Sequence, residues 1–167
     1  MPVVTIIWIT EGTWQAAVDA ARTLAPPGAE FTLLHVSGGE AVGAAHAAFA
    51  GLLGRGGRGR RDPGDRLEEL SEAAAEELLR AAGERLGRPA TVLRRRGRVE
   101  REVVRAAEDA DLLICARDGD RERLGPHSLG PAARFVVDHA PCPVLVVWPR
   151  EAPGLESLPP PPPPERH

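Results

Sequence analysis

The chain has 167 residues, the size of one ordinary domain and too few for two large ones. Apolar residues make up 43%, enough for a core, and 24 acids against 21 basic residues leave a formal net charge of −3. This balance argues against a dedicated nucleic-acid binder, runs as short as Val3–Ile9 argue against a membrane span, and two cysteines, Cys115 and Cys142, make no disulfide framework or metal cluster.

Every basic residue is arginine, and lysine, tyrosine and asparagine are absent. An excess of Arg, Ala, Gly and Pro reflects GC-rich coding, so composition carries little functional meaning. Val3–Ile9 has neither a positive leader nor a cleavage site, so it does not read as a signal peptide. A soluble cytoplasmic protein is the expectation.

Residues 3–9 are β-branched and aromatic almost throughout, the pattern of a strand buried on both faces. Residues 14–25 are amphipathic with a helical period, Thr13 stands at the N-cap position, and Pro26-Pro27-Gly28 ends the helix. A second strand is expected over 30–36 and a short helix over 41–53. The Gly- and Arg-rich stretch 54–61 reads as a flexible loop, and Asp62-Pro63 restarts a helix. On the helix at 64–86, Leu67, Leu70, Ala74, Leu78 and Ala82 share one face. Further strands are expected at 90–95, 111–116 and 144–148. Helices are expected at 98–108, with Val99 and Val103 inward, and at 131–139.

Apolar strands alternating with helices specify an α/β fold with a mainly parallel sheet, because parallel neighbours need helical crossovers. Residues 1–150 form this doubly wound domain. Residues 151–167 hold 7 of the 17 prolines, including Pro159–Pro164, and read as a disordered proline-rich tail.

The segment His139-Ala140-Pro141-Cys142-Pro143-Val144-Leu145-Val146-Val147 resembles the closing segment of the universal stress protein family. Leu33-Leu34-His35-Val36 is similar to the end of that family's second strand. Gly97 followed by a short helix and Asp111-Leu112-Leu113-Ile114 is similar to its third crossover and fourth strand. Glu11-Gly12-Thr13 falls where the family usually has Asp-Gly-Ser. The likeness runs from about residue 3 to 148. It implies strand order 3-2-1-4-5, a homodimer through the fifth strand at 144–148, and a ligand crevice between strands 1 and 4, where the order reverses.

ATP-binding members carry G-x2-G-x9-G-[ST] after the fourth strand. Such glycines let backbone N–H groups approach phosphate, and the Ser/Thr starts a helix whose N-terminus attracts anions. Aligned back from the closing segment, Gly130 takes the last glycine position, Arg117 and Asp120 take the first two, and Pro131 takes the Ser/Thr position. Pro131 has neither hydroxyl nor N–H, although it suits the first turn of a helix with Gly130 as N-cap. Asp118 and Asp120 repel a triphosphate, while Arg117, Arg121 and Arg123 offset them. A shifted register uses Gly119 and Gly125 instead. The bland reading of Arg117-Asp118-Gly119-Asp120 is a salt-bridged turn. The sharper one is a loop for another ligand or a partner.

The crevice residues are therefore Thr10, Glu11, Gly12, Thr13, Val36, Ala116, Arg117, Gly119, Gly125 and Gly130. The cofactor is unknown, and Arg117, Asp120 and Pro131 disfavour ATP. In the strand order that the resemblance implies, the third strand is a sheet edge, where Arg94, Arg95 and Arg96 discourage edge-to-edge pairing; they alternate across the strand, so they do not form one nucleic-acid patch. Cys115 is a small core residue, and His127 and His139 lack partners at metal-binding spacing. Ser128, His127 and Asp118 assemble into a triad only on paper. No catalytic motif is present.

The reading is a cytoplasmic, non-enzymatic, dimeric stress-response module with a degenerate nucleotide loop, acting through a ligand or a protein partner. Nucleic acid and membrane are not expected partners. The alternatives are an ATP-binding sensor using the same crevice and a weak nucleotide hydrolase.

Overall fold

The computed structural model describes residues 1–38 and 63–164. The helix expected at 41–53 and the arginine–glycine loop at 54–61 lie outside the described residues.

Among the described residues the elements in chain order are β1 (Val4–Trp8), α1 (Trp14–Leu24), β2 (Glu30–Ser37), α2 (Pro63–Leu86), β3 (Ala90–Arg96), α3 (Val99–Ala106), β4 (Leu112–Ala116), α4 (Pro131–His139) and β5 (Val144–Val147). The five strands form one parallel sheet in the order β3-β2-β1-β4-β5. Each expected element outside the masked stretch is present, with ends moved by at most two residues.

The two faces of the sheet carry separate cores, because successive strand residues point to opposite sides. Ile7, Ile9, Phe31, Leu33 and Ile114 pack against Ala17, Val18 and Ala21 of α1 and Leu79, Ala82 and Leu86 of α2. Ile6, Trp8, Leu34, Leu113 and Cys115 pack on the other side against Val103 of α3 and Ala133 and Val136 of α4. Parallel strands buried on both faces read as unbroken apolar runs, and β1 and β4 do.

Two local expectations are corrected. On α2 the buried stripe is Ala75, Leu79, Ala82 and Leu86, turned by roughly a quarter of the circumference from the expected face, so that of that face Leu70 is 61% exposed, Leu67 36%, Ala74 is exposed and Ala82 alone is fully buried. A helix of 24 residues is about 36 Å long. That exceeds the reach of strands of five to eight residues, so its first turns run past the sheet. At α1, Thr13 holds the N-cap position but makes no capping bond; its hydroxyl pairs with that of Thr10 at 2.7 Å.

β3 is an outer strand, as the strand order implied by the resemblance required. Arg94 reaches Glu76 and the Glu72 carbonyl, and Arg96 pairs with Glu68, all on α2. Within the tail expected to be disordered, Leu155–Ser157 forms a 3₁₀ turn. No helix among the described residues is long and apolar enough to cross a membrane.

Candidate functional site

At the N-terminal end of the β1–β4 seam, the Asp111 carboxylate accepts the Val4 N–H at 2.8 Å and the Asp111 N–H donates back to the Val4 carbonyl. The opposite, carboxyl end of the seam carries the two loops at issue. Register Ile7↔Ile114 sets Ile9 and Thr10 at the level of Ala116 and Arg117. β1 sends its chain into α1 on one face, and β4 sends its chain toward α4 on the other. A crevice at such a divergence follows from the topology.

The first loop is a tight turn. The N–H groups of Thr13 and Trp14 both donate to the Thr10 carbonyl, and Gly12 takes φ +85°, a conformation that favours glycine. Thr13 is buried, while Glu11 is exposed. Beside this loop, His35 Nδ1–H donates to the Ile9 carbonyl at 3.1 Å. Glu11, His35 and Val36 line one side of a cleft of about 560 Å³, and Ser71 and Leu78 of α2 line the other. Glu11 and Val36 thus meet in one cleft, which the 116–130 segment does not line.

The second loop, 117–130, is closed on itself. Its arms pair: the Gly119 N–H donates to the Ser128 carbonyl at 2.9 Å, and the Asp120 N–H donates to the His127 carbonyl at 2.8 Å. Glycine is required at 119 because a Cβ there would overlap the His127 carbonyl oxygen and lie 2.9 Å from the Ser128 carbonyl carbon. Gly125 has φ +135° and turns the chain back.

Arg117 points inward. Its backbone N–H extends the sheet ladder to the Val147 carbonyl. Its Nη1 donates to Ser128 Oγ at 2.6 Å, and its guanidinium lies over the Trp148 ring, 4.7 Å from the centroid. Its Nε is buried without a hydrogen-bond partner. Ser128 Oγ in turn donates to the Gly125 carbonyl.

Asp118 completes the closure. Its Oδ1 accepts the Gly130 N–H at 2.6 Å, at the N-cap of α4, with Pro131 following in the first turn. The positive end of the helix therefore already holds an anion from the chain itself. Expectation and structure part here, since no ion pair forms within 117–123 among the described residues. The arginine is spent on an aromatic ring and a hydroxyl, and the aspartate on backbone. Ser128 is engaged by Arg117 and Gly125, so no triad forms with His127 and Asp118.

No group of histidine, cysteine and carboxylate residues among the described residues is arranged to hold a metal. Burial, with the Asp118 charge second, pushes the Cys115 thiol up to about 12, and burial also raises that of Cys142. Neither is an activated nucleophile at neutral pH.

The model of the universal stress protein family matches residues 10–147. The chain belongs to that family. Solved structures of similar fold include the hypothetical protein MJ0577, at 19% identity over 91% of this chain and 100% of that one, with a TM-score of 0.67. Universal stress protein UspA from Lactobacillus plantarum is 21% identical over 88% of this chain and 99% of its own, with a TM-score of 0.60. A universal stress protein in complex with cAMP is 15% identical over 89% and 98%, with a TM-score of 0.59. No curated protein matches the chain. The strand order that the resemblance implied is the order of this universal stress protein's sheet.

The roles of Asp118, Ser128, Trp148 and His35 were not foreseen. A signal for the first existed in the sequence: an aspartate twelve residues before a Gly-Pro helix start, across a loop with glycines at both bends. A carboxylate next to unsatisfied helix N–H groups is a common cap.

Proposed function

We propose that this universal stress protein is a cytoplasmic, non-enzymatic stress-response module whose crevice loop does not seat ATP and which acts by binding a protein partner as a homodimer. One observation carries the reading: Asp118 accepts the Gly130 N–H at 2.6 Å, at the helix end where a phosphate needs free donors. A phosphate arriving there displaces a bonded carboxylate and meets its charge. Pro131 withholds the next N–H, and Arg117 is turned away toward Trp148. The dimer is assigned to 144–148 because β5 is an outer strand of the sheet and its four residues are only half-buried in the single chain.

Calorimetric titration with Mg-ATP tests the first part, with Arg117→Ala alongside. No heat up to millimolar ATP is expected for either chain. Saturable binding to the native chain, weakened by the substitution, overturns the reading and makes arginine a phosphate anchor. Sedimentation tests the dimer, and a monomer at micromolar concentration refutes it.

A second reading is a nucleotide sensor that holds a base and ribose away from the closed loop. The cleft of about 560 Å³ that contains Glu11 and Val36 favours it, and so does the relative in complex with cAMP. Binding of cAMP that is lost in Glu11→Ala would replace the first reading with this one.

A further inference from the structure

The chain leaves β5 at Val147 and returns to the crevice loop. Leu155–Ser157 forms a single 3₁₀ turn, in which the Ser157 N–H and hydroxyl both donate to the Gly154 carbonyl, at 3.0 and 2.7 Å. The Ser157 oxygen then accepts the Leu124 N–H at 3.0 Å. Leu124 belongs to the tip of the 117–130 loop.

The loop is unevenly fastened. Its stem has the paired arms, Arg117 on Ser128, and Asp118 on Gly130. Its tip, 121–124, has one internal bond, from the Glu122 N–H to Asp120 Oδ1. Among the described residues, the Ser157 contact is the one hydrogen bond that reaches the tip from outside the loop. Gly125, at φ +135°, stands beside the tip as a pivot.

We propose that residues 154–158 are a strap that holds the tip of the crevice loop down. The turn buries little: Leu155 is 76% exposed and Leu158 54%. The strap is therefore held by the Ser157 hydroxyl rather than by an apolar anchor, and a hydrogen bond of this kind opens readily. Pro159–Pro164 follow directly, exposed and without backbone N–H groups, so they cannot pair with the body in a sheet or helix. The inference is independent of which ligand or partner the crevice serves.

Hydrogen exchange followed by mass spectrometry tests it on three chains: the native protein, Ser157→Ala, and a chain ending at Arg150. The expected result is exchange in the 121–125 peptide roughly tenfold faster in both variants, with β1 and β2 as protected as in the native chain. Tip exchange in the shortened chain within twofold of native overturns the strap. Faster exchange there with Ser157→Ala unchanged overturns the role of the hydroxyl. Should the shortened chain lose protection in its strands, Ser157→Ala alone decides.

Discussion

Replacing Gly119 with alanine should open the crevice loop. The new Cβ would overlap the His127 carbonyl oxygen and sit 2.9 and 3.0 Å from the carbonyl carbon and oxygen of Ser128. These are backbone atoms, so no side chain can swing aside. The arms must part, and the two bonds between them, Gly119 N–H to Ser128 and Asp120 N–H to His127, are lost or stretched. At roughly 1 kcal/mol each, the cost is about 2 kcal/mol. For a domain of this size that lowers the melting temperature by about 4–8 °C if the loop unfolds with the body. If the loop opens alone, the melting point moves less and exchange of the 118–129 amides rises roughly thirtyfold. Thermal denaturation and hydrogen exchange together cover both cases. A Gly119→Ala protein with native melting temperature and native loop exchange would refute the close approach of the arms and, with it, the self-closed loop.

Further outcomes are expected elsewhere. Asp118→Ala removes the acceptor of the Gly130 N–H and should cost about 1 kcal/mol in urea unfolding, with Asp118→Asn nearer to native because it keeps an acceptor; equal losses would show that charge, not capping, matters. Thr5 is fully buried and its hydroxyl has no hydrogen-bond partner, so Thr5→Val should stabilise the fold by about 1 kcal/mol, and a loss on that scale would mean that the hydroxyl is satisfied. Burial raises the Cys115 thiol to about 12 from an ordinary value of 9.0, so its contribution to stability is full below pH 9 and is lost as pH rises from there through about 12. The same thiol should resist thiol-exchange reagents at pH 8 until the protein unfolds, and labelling of Cys115 in the native state would contradict its burial.

The fold was legible because α/β patterning is a property of local residues. Residues 3–9 read as a strand buried on both faces, which Val4–Trp8 is, and the strand expected at 111–116 is present at Leu112–Ala116. Strand order was not in the residues themselves, since period and propensity do not say which strand lies beside which; it came from the likeness of His139–Val147 to a family. The misread face of α2 has a geometric cause. At 100° per residue the stripe Ala75, Leu79, Ala82 and Leu86 is turned by roughly 90° from the face on which Leu67, Leu70 and Ala74 lie, so those three residues look away from the sheet. The closure of the crevice loop was hidden for another reason. Arg117, Asp118 and Asp120 look like an ion-pairing set when read by charge alone. Backbone donors at Gly130 and an aromatic face at Trp148 compete for them, and both depend on which turns the glycines make.

The seam between β1 and β4 also bears on how the chain is made. It has three register pairs, Thr5, Ile6 and Ile7 with Leu112, Leu113 and Ile114, against seven between β2 and β3. During synthesis β1, β2 and β3 can pair once residue 96 has emerged. At that moment one side of β1 has no neighbour, and its apolar residues Ile6 to Ile9 border an open edge. Such an edge pairs with whatever strand comes near, including that of another nascent chain. β4 fills the gap only after about twenty more residues are translated. A chain stopped at Gly97 should therefore precipitate, whereas one stopped at Arg150 should stay in solution.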